Sequence, residues 1–240
     1  MTSQRWAWVE IDLSALQSNV RTLCSHVYPR QLWAVVKANA YGHGSHQVAT
    51  AALDAGAVGL CVALADEGIE LRRFGITAPI LVMSEQPSSQ YGAMIEHELT
   101  ATVYNSVAIS MYAATAQSLG RIAKVHLKVD TGMHRVGVPV ADAVSRAQQI
   151  VAETSLQLDG LYTHFATADL ADHPATTTQS ERFAHIVDQL HQVGIAPPQV
   201  HLANSAATVR GLGADSTMVR VGIAMYGIAA NAETDSFGVA

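Results

Sequence analysis

The sequence predicts one (β/α)8 barrel, in which eight parallel strands alternate with eight helices, and three observations lead to this fold class. Eight short apolar runs recur at near-regular intervals along the 240 residues, with helix-like segments between them. The runs are continuously apolar, which is typical of strands buried on both faces of a parallel sheet. No GxGxxG turn follows the first run, so a closed barrel is expected rather than an open dinucleotide-binding sheet.

The first element is a helix from Asp12 to about His26. Aspartate is a good helix cap because its carboxylate can accept hydrogen bonds from the free N–H groups of the first turn. The apolar residues of this segment recur at helical spacing and form one face: Leu13, Leu16, Val20 and Leu23. Because this helix precedes the first strand, we expect it to complete the outer ring of the barrel.

Each of the eight strands is predicted from an apolar run with polar or turn residues at its ends. In chain order the runs are LWAVVKAN (32–39), VGLCVAL (58–64), PILVMS (79–84), TATVYN (100–105), KVHLKVD (124–130), LDGLYTHFA (158–166), PPQVHLANS (197–205) and TMVRVGI (217–223). A helix-like segment, such as SHQVATAALDAG, follows each of the first seven. No Gly-, Ser- or Pro-rich linker interrupts the pattern, so we predict one domain over residues 1–240.

The composition argues against several classes of protein. The chain is 49% hydrophobic and 14% charged, with a formal net charge of −6 and no block of basic residues. Neither nucleic acid nor an anionic membrane is therefore an expected partner. No segment approaches the roughly 18 apolar residues of a membrane span, and the N-terminus does not resemble a signal peptide. Cys24 and Cys61 lie in apolar patterns and are expected to be buried free thiols, which suits a reducing cytoplasm.

Polar residues end five of the predicted strands, and barrels of this kind carry their chemistry at the C-terminal ends of the strands. With one arginine from the loop after the fifth strand, these residues are Lys37, Asn39, Lys128, Asp130, Arg135, Thr163, His164, Asn204, Ser205 and Arg220. Cationic side chains and a histidine dominate this set. A cationic mouth on an acidic protein predicts an anionic ligand.

The last strand adds a candidate phosphate site. The segment RVGIAMYG brings backbone N–H groups near Gly222 to a place where barrels often hold phosphate, and Ser205 and Tyr41 could each donate a hydroxyl. At the end of a buried strand and among cations, Lys37 is expected to be a neutral amine that can attack a carbonyl. A phosphate and an aldehyde reached by a lysine describe pyridoxal 5′-phosphate (PLP), although a Schiff-base aldolase stays open on these residues alone.

Five blocks identify a family: AVVKANAYGHG, KVDTGMHRVG, THFATAD, LANSAA and VRVGIAMYG. Together, and in this order, they resemble alanine racemase of the fold-type III PLP enzymes, from WVEIDLSAL (8–16) to MYGI (225–228). The resemblance implies interconversion of L- and D-alanine in the cytoplasm. It also implies a bacterial role, in which D-alanine supplies peptidoglycan.

The resemblance implies roles for individual residues. Lys37 would form the Schiff base with PLP and move the α-proton on one face of the substrate. The phosphate would be held by Tyr41, Ser205, Gly222 and Ile223. His164 would pack against the cofactor ring, and Arg220 would face the pyridine nitrogen.

The physics of Arg220 suits a racemase. An arginine stays protonated and only donates hydrogen bonds, so it disfavours protonation of the pyridine nitrogen and makes PLP a weaker electron sink. A short-lived carbanion is then reprotonated, which requires little beyond two opposed acid–base groups. The resemblance also implies that Arg135 contacts the phenolic oxygen of PLP and seats the substrate carboxylate. Lys128, a lysine that is carbamylated in many members, would brace Arg135.

The family pattern continues beyond this sequence. Members carry a C-terminal β-domain, which the strand-like WAWVEIDL joins, and Ala240 falls about where that domain would begin. Their second base is a tyrosine of that domain, contributed across a homodimer. We therefore expect a truncated barrel domain that binds PLP but racemises alanine very slowly, with its own oligomeric state open.

Rival interpretations stay open from the sequence. A non-catalytic PLP-binding barrel would not be expected to carry KVDTGMHRVG, a serine racemase of the same family is not separated, and an aldolase is disfavoured by Arg220. No metal is expected, because the histidines lack ligand spacing. Six other histidines are predicted at the surface or on helices: His26, His46, His97, His126, His185 and His191. Asp66 and Glu67 are predicted to begin a helix, where carboxylates favour the N-terminal dipole.

Overall fold

The structure, a computed structural model, describes residues 7–229 and 238–239, and it forms a parallel β-barrel surrounded by helices. Its strands are β1 Gln31–Val35, β2 Gly59–Val62, β3 Ile80–Val82, β4 Thr100–Val103, β5 Ala123–Asp130, β6 Val138–Pro139, β7 Leu156–Tyr162, β8 Gln199–His201 and β9 Met218–Val221. The two-residue β6 pairs with the end of β5, and the other eight strands form the barrel.

The barrel strands run in the order β1-β2-β3-β4-β5-β7-β8, and β9 pairs with β1 on the other side. Backbone hydrogen bonds close the ring between β8 and β9. The Thr217 N–H donates to the Val200 carbonyl at 2.8 Å, and the Arg220 N–H donates to the Ala203 carbonyl at 3.0 Å. The predicted (β/α)8 barrel is confirmed, and each predicted apolar run overlaps an observed barrel strand.

Helices cover the outside of the barrel. They are α1 Leu13–Val27, α2 Ser45–Asp54, α3 Ala65–Arg73, α4 Tyr91–Glu96, α5 Ser106–Ser118, α6 Ala143–Ala152, α7 Pro174–Gln192 and α8 Ser205–Val209, with 3-10 turns at Ser88–Gln90, Val140–Asp142 and Ile223–Tyr226. As predicted, Asp12 caps α1, because its Oδ1 accepts from the N–H groups of Ser14 and Ala15 at 2.8 and 3.0 Å. The helix ends at Val27, one residue beyond the expected end.

Large side chains inside the barrel face glycines on the neighbouring strand. Trp33 of β1 is in register with Gly59 of β2, and His126 of β5 is in register with Gly160 of β7. A Cβ added to Gly59 would lie 2.6 Å from the indole of Trp33, and one on Gly160 would lie 2.6 Å from the imidazole of His126. Each of these large side chains thus occupies the space left by a glycine on the neighbouring strand, and the barrel interior is closely packed.

Gly59→Ala is expected to lower the free energy of unfolding by about 3 kcal/mol, because the added methyl overlaps the buried Trp33 ring. Gly92→Ala is the matched control, since Gly92 lies within helix α4 and an added Cβ would meet nothing within 4 Å. That variant should be neutral or stabilise by up to about 1 kcal/mol. Urea unfolding measures both, and equal stabilities of the two variants would contradict this packing.

The cysteines, the helices and the N-terminal residues are each the subject of a prediction from the sequence. Both cysteines are free; Cys61 is buried as expected, whereas Cys24 is only partly buried. No helix within the described ranges 7–229 and 238–239 is long and apolar enough to cross a membrane. Residues 7–12 form no strand, and Trp8 and Val9 are 78% and 83% exposed.

Candidate active site

A cavity of about 340 Å³ opens at the C-terminal ends of the barrel strands. It is lined by all seven residues that the sequence predicts at the cofactor: Lys37, Tyr41, His164, Ser205, Arg220, Gly222 and Ile223. These residues follow or end strands β1, β7, β8 and β9, which lie side by side in the barrel. Its volume lies within the about 300–1,000 Å³ that is usual for small-molecule sites.

The predicted run 32–39 places Lys37 on the first strand, whereas in the structure Lys37 lies beyond the end of β1. The strand ends at Val35, and Lys37 begins a left-handed turn in which the four φ angles from Ala38 to Tyr41 lie between 51° and 54°. Each non-glycine residue in this conformation costs about 1–2 kcal/mol. Such strain is maintained only where surrounding contacts enforce it, and it is often found at functional sites.

Glu67 of helix α3 holds the start of this turn through its carboxylate. One carboxylate oxygen of Glu67 accepts from the Ala38 N–H at 2.6 Å. The other accepts from the N–H groups of Ala63 and Leu64, at 2.7 and 3.0 Å. As predicted, Asp66 and Glu67 lie in the first turn of a helix, which begins at Ala65, but the bond from Glu67 to the lysine turn is not evident from the sequence. The carboxylate fixes the backbone beside Lys37 to the adjacent strand end.

Glu67→Ala is expected to speed hydrogen–deuterium exchange across residues 38–42 by about tenfold or more, because loss of one strong hydrogen bond is worth about 1.5–3 kcal/mol. Peptide-level exchange followed by mass spectrometry measures it. Asp66→Ala is the matched control, since Asp66 is exposed on the same helix turn and should leave exchange unchanged. Unchanged protection in Glu67→Ala would show that other contacts hold the turn.

Next to this turn, beyond the ends of β8 and β9, three groups converge on one point. The Ser205 Oγ accepts from the N–H groups of Gly222 and Ala224, at 2.9 and 3.4 Å. The phenol oxygen of Tyr41 lies 2.7 Å from where a Cβ on residue 222 would be. Only glycine fits at 222 without moving the phenol, so hydroxyls and backbone donors gather in a cradle suited to an anion.

Arg220 is the central cation of the site and is only 3% exposed. Its Nη2 donates to the Thr163 carbonyl at 2.8 Å and the Leu202 carbonyl at 3.4 Å, and contacts the His164 Nδ1 at 3.3 Å. Its Nη1 bonds to the Nδ1 of His201. Since arginine only donates, each of these partners must accept, and the guanidinium is held in one orientation.

The cations of the mouth act on one another. Burial, followed by the charge of Arg220, lowers the pKa of Lys128 to about 8 and that of His164 to about 3. Lys37 is only half-buried, so the strongly desolvated lysine of the mouth is Lys128. Arg135 is exposed and shares a small neighbouring pocket with Lys128 and His164. The structure therefore brings all nine predicted residues to one mouth, seven in the main cavity and two beside it.

Stability is expected to fall on acidification below about pH 6.5. The pKa of His164 is lower in the folded chain than its ordinary 6.5, so between about pH 3 and 6.5 the unfolded chain binds the extra proton. At pH 5 this costs about 2 kcal/mol of unfolding free energy. Urea unfolding at pH 7.5 and pH 5 measures the difference, and His164→Asn should reduce it. An identical pH dependence in His164→Asn would contradict the assignment.

Several residues of the site are not predicted from the sequence. Tyr162 is buried, and its ring lies 5.0 Å from the guanidinium carbon of Arg220 and 5.3 Å from the Nζ of Lys128. His126, predicted at the surface or on a helix, is fully buried inside the barrel, and that prediction is wrong. The available signal was its place in KVHLKVD, because both faces of a barrel strand are buried.

The chain is similar to known proteins both in sequence and in fold. A family model described as "Alanine racemase, N-terminal domain" matches residues 11–230. The chain is 44% identical over 230 residues to an alanine racemase of Synechocystis sp., covering 95% of this chain and 62% of the relative. It is 40% identical over 230 residues to alanine racemase 1 of Oceanobacillus iheyensis, covering 95% and 61%.

A solved structure of the alanine racemase from Bacillus anthracis, with bound L-Ala-P, aligns with a TM-score of 0.91 and 37% sequence identity. The alignment covers 99% of this chain and 62% of that chain. The sequence thus spans a little over 60% of the length of these relatives.

Proposed function

The chain belongs to the alanine racemase family, and on that premise we propose that it is the PLP-binding barrel of an enzyme that interconverts L- and D-alanine. The observation that carries the proposal is the convergence of Lys37, Arg220 and the Gly222 cradle on one cavity of about 340 Å³. The B. anthracis relative, which binds L-Ala-P, supports an alanine-like ligand at this mouth.

The residues present fit PLP. Its phosphate requires donors, and the hydroxyls of Ser205 and Tyr41 converge where residue 222 has no side chain, with the Ser205 Oγ held in place by the N–H groups of Gly222 and Ala224. Its pyridine nitrogen requires a donor, and Arg220 can only donate. When bound, PLP would supply the electron-withdrawing ring that acidifies the α-proton of an amino acid.

Each residue then has a task. Lys37 supplies the amine that binds the cofactor aldehyde and holds or moves a proton at Cα. Ile223 and His164 line the same cavity, where Ile223 would complete the phosphate side and His164, kept neutral by burial and Arg220, would pack against the cofactor ring. Arg135 attracts the substrate carboxylate to the outer edge of the mouth, where Lys128 adds a second nitrogen beside it.

The lowered pKa of Lys128 supports a further part of this proposal. Only a neutral amine reacts with carbon dioxide, and with a pKa of about 8 Lys128 is partly neutral near physiological pH. Carbamylation would turn a cation into an anion that pairs with Arg135. This charge change would relieve the crowding of cations at the mouth.

Racemisation requires a second acid–base group on the other face of Cα. The family resemblance assigns it to a tyrosine of the C-terminal domain of a partner subunit, so we infer that a homodimer is the active form. The free thiols Cys24 and Cys61 suit a reducing cytoplasm, and there D-alanine would enter peptidoglycan precursors.

Proton exchange in deuterated water tests this proposal on the PLP-loaded 240-residue chain. With Lys37 as its one base, the chain should exchange the α-proton of one alanine enantiomer while inverting it at least tenfold more slowly, which NMR and chiral chromatography measure. Absence of exchange with both alanine and serine would indicate a non-catalytic carrier. Faster exchange of serine than alanine would indicate a serine racemase, and rapid inversion would place a second base within these 240 residues.

A further inference from the structure

A line of polar side chains runs through the barrel interior from the mouth toward the opposite end. It begins at Arg220 on β9, continues through His201 on β8 and His126 on β5, and reaches Asp159 on β7. Both imidazoles are fully buried. The three residues beyond Arg220 do not line the 340 Å³ cavity, and the proposed reaction does not use them.

The proton positions in this line follow from one fact, namely that arginine donates and cannot accept. The Nδ1 of His201 accepts from Arg220, so this nitrogen carries no proton and the proton of the neutral ring lies on Nε2. That Nε2 lies 2.9 Å from the Nδ1 of His126 and must donate to it. The proton of His126 is therefore on Nε2, and every donor in the line points away from the mouth.

At the far end, a carboxylate faces this last proton. The Nε2 of His126 lies 3.7 Å from Oδ2 of Asp159 and has no hydrogen bond to any described residue. Asp159 also lies 3.6 Å from the Nζ of Lys124 and lines a second cavity, of about 660 Å³, at the N-terminal ends of the strands. The line thus connects the two ends of the barrel.

The backbone is shaped to bring the carboxylate there. Leu158 and Gly160 of β7 are the partners of the consecutive residues Val125 and His126, so Asp159 is the extra residue of a β-bulge. Bulges redirect a side chain out of the regular alternation. Gly160 leaves room for the imidazole, and the Tyr162 ring stacks on His201 at 4.7 Å with an interplanar angle of 5°. Bulge, glycine and stacking together fix both ring planes.

We propose that His201, His126 and Asp159 are positioning residues of the cofactor site, which hold the guanidinium of Arg220 in the orientation from which it donates toward the pyridine nitrogen. Because Arg220 needs an acceptor at the Nδ1 of His201, both rings carry their proton on Nε2, and the carboxylate of Asp159 faces the last of these protons with a favourable charge. The importance of this line for PLP rests on the proposed function, whereas the tautomers themselves do not.

The first test uses the wild-type chain without cofactor, labelled with ¹⁵N-histidine. Two-bond ¹H–¹⁵N correlations at pH 7 report which ring nitrogen carries the proton. Both His126 and His201 should be neutral with the proton on Nε2. A proton on Nδ1 of either ring, or a doubly protonated ring, overturns the proposal whether or not the chain binds PLP.

The second test compares variants at the far end. In Asp159→Ala the proton of His126 should stay on Nε2, because Arg220 fixes it, but the ¹⁵N chemical shift of that nitrogen should move, and PLP should dissociate about 2- to 30-fold more readily. Asp159→Asn keeps an oxygen acceptor and should preserve the tautomer. Lys124→Gln removes the other partner of Asp159, leaves the histidine contact and should behave as wild type. An unchanged Nε2 chemical shift together with unchanged PLP dissociation in Asp159→Ala would remove Asp159 from the line.

Discussion

Lys37→Ala is expected to abolish covalent capture of PLP by this chain, from about one cofactor per chain to none. The reason is chemical: an aldehyde forms a Schiff base only with an amine, and Lys37 is the lysine that lines the cavity. Lys37→Arg should lose the adduct equally, because a guanidinium keeps the charge but remains protonated. Reversible binding through the phosphate cradle should persist in both variants.

Borohydride reduction followed by peptide mapping measures this result. The sequence contains three lysines, Lys37, Lys124 and Lys128, so the position of a fixed adduct is unambiguous. Lys124→Ala is the matched control and should retain the adduct, since Lys124 lies at the opposite end of the barrel. Because burial and Arg220 lower the pKa of Lys128 to about 8, that residue is the competing amine. A wild-type adduct on Lys128 would contradict the assignment of Lys37.

Arg220→Leu is expected to lower the free energy of unfolding by about 3–5 kcal/mol. Removing the guanidinium leaves the carbonyls of Thr163 and Leu202 and the Nδ1 of His201 without their buried donor. Loss of the charge should also raise the pKa of His164 toward its ordinary value, since Arg220 is the strongest cation acting on that ring.

Urea unfolding and histidine NMR titration measure these two effects. Arg210→Leu is the matched control: Arg210 also donates to two carbonyls, those of Ala168 and Leu170, but it is partly exposed and its loss should cost about 1 kcal/mol or less. Equal losses in the two variants, or an unchanged pKa of His164, would show that Arg220 does not organise the mouth.

The sequence was sufficient to predict the barrel and the residues that lie at its mouth. Apolar runs with a regular spacing reveal strands, and in a closed parallel barrel all strand ends meet at one rim. Residues far apart in the chain, such as Lys37 and Arg220, could therefore be placed together without any contact being known. These two residues lie close together because of the barrel topology, and that topology can be predicted from the sequence pattern.

Contacts that depend on local geometry were not predictable in this way. The bond from Glu67 to the Ala38 N–H joins residues 29 apart and exists because four residues adopt a left-handed turn that nothing in AVVKANAYGHG signals. Likewise, His126 is predicted at the surface or on a helix, yet it lies buried on β5, where Gly160 of β7 leaves room for its ring.

For this chain, periodicity and residue type alone predicted the barrel fold and the cationic mouth. Tertiary structure decided which lysine is desolvated, which carboxylate holds the turn of Lys37, and how protons are arranged behind Arg220. The physical reason is the distance along the chain: the hydrophobic pattern of a strand involves neighbouring residues and can be seen in the sequence. Desolvation and hydrogen-bond direction depend on neighbours that only folding brings within a few ångströms.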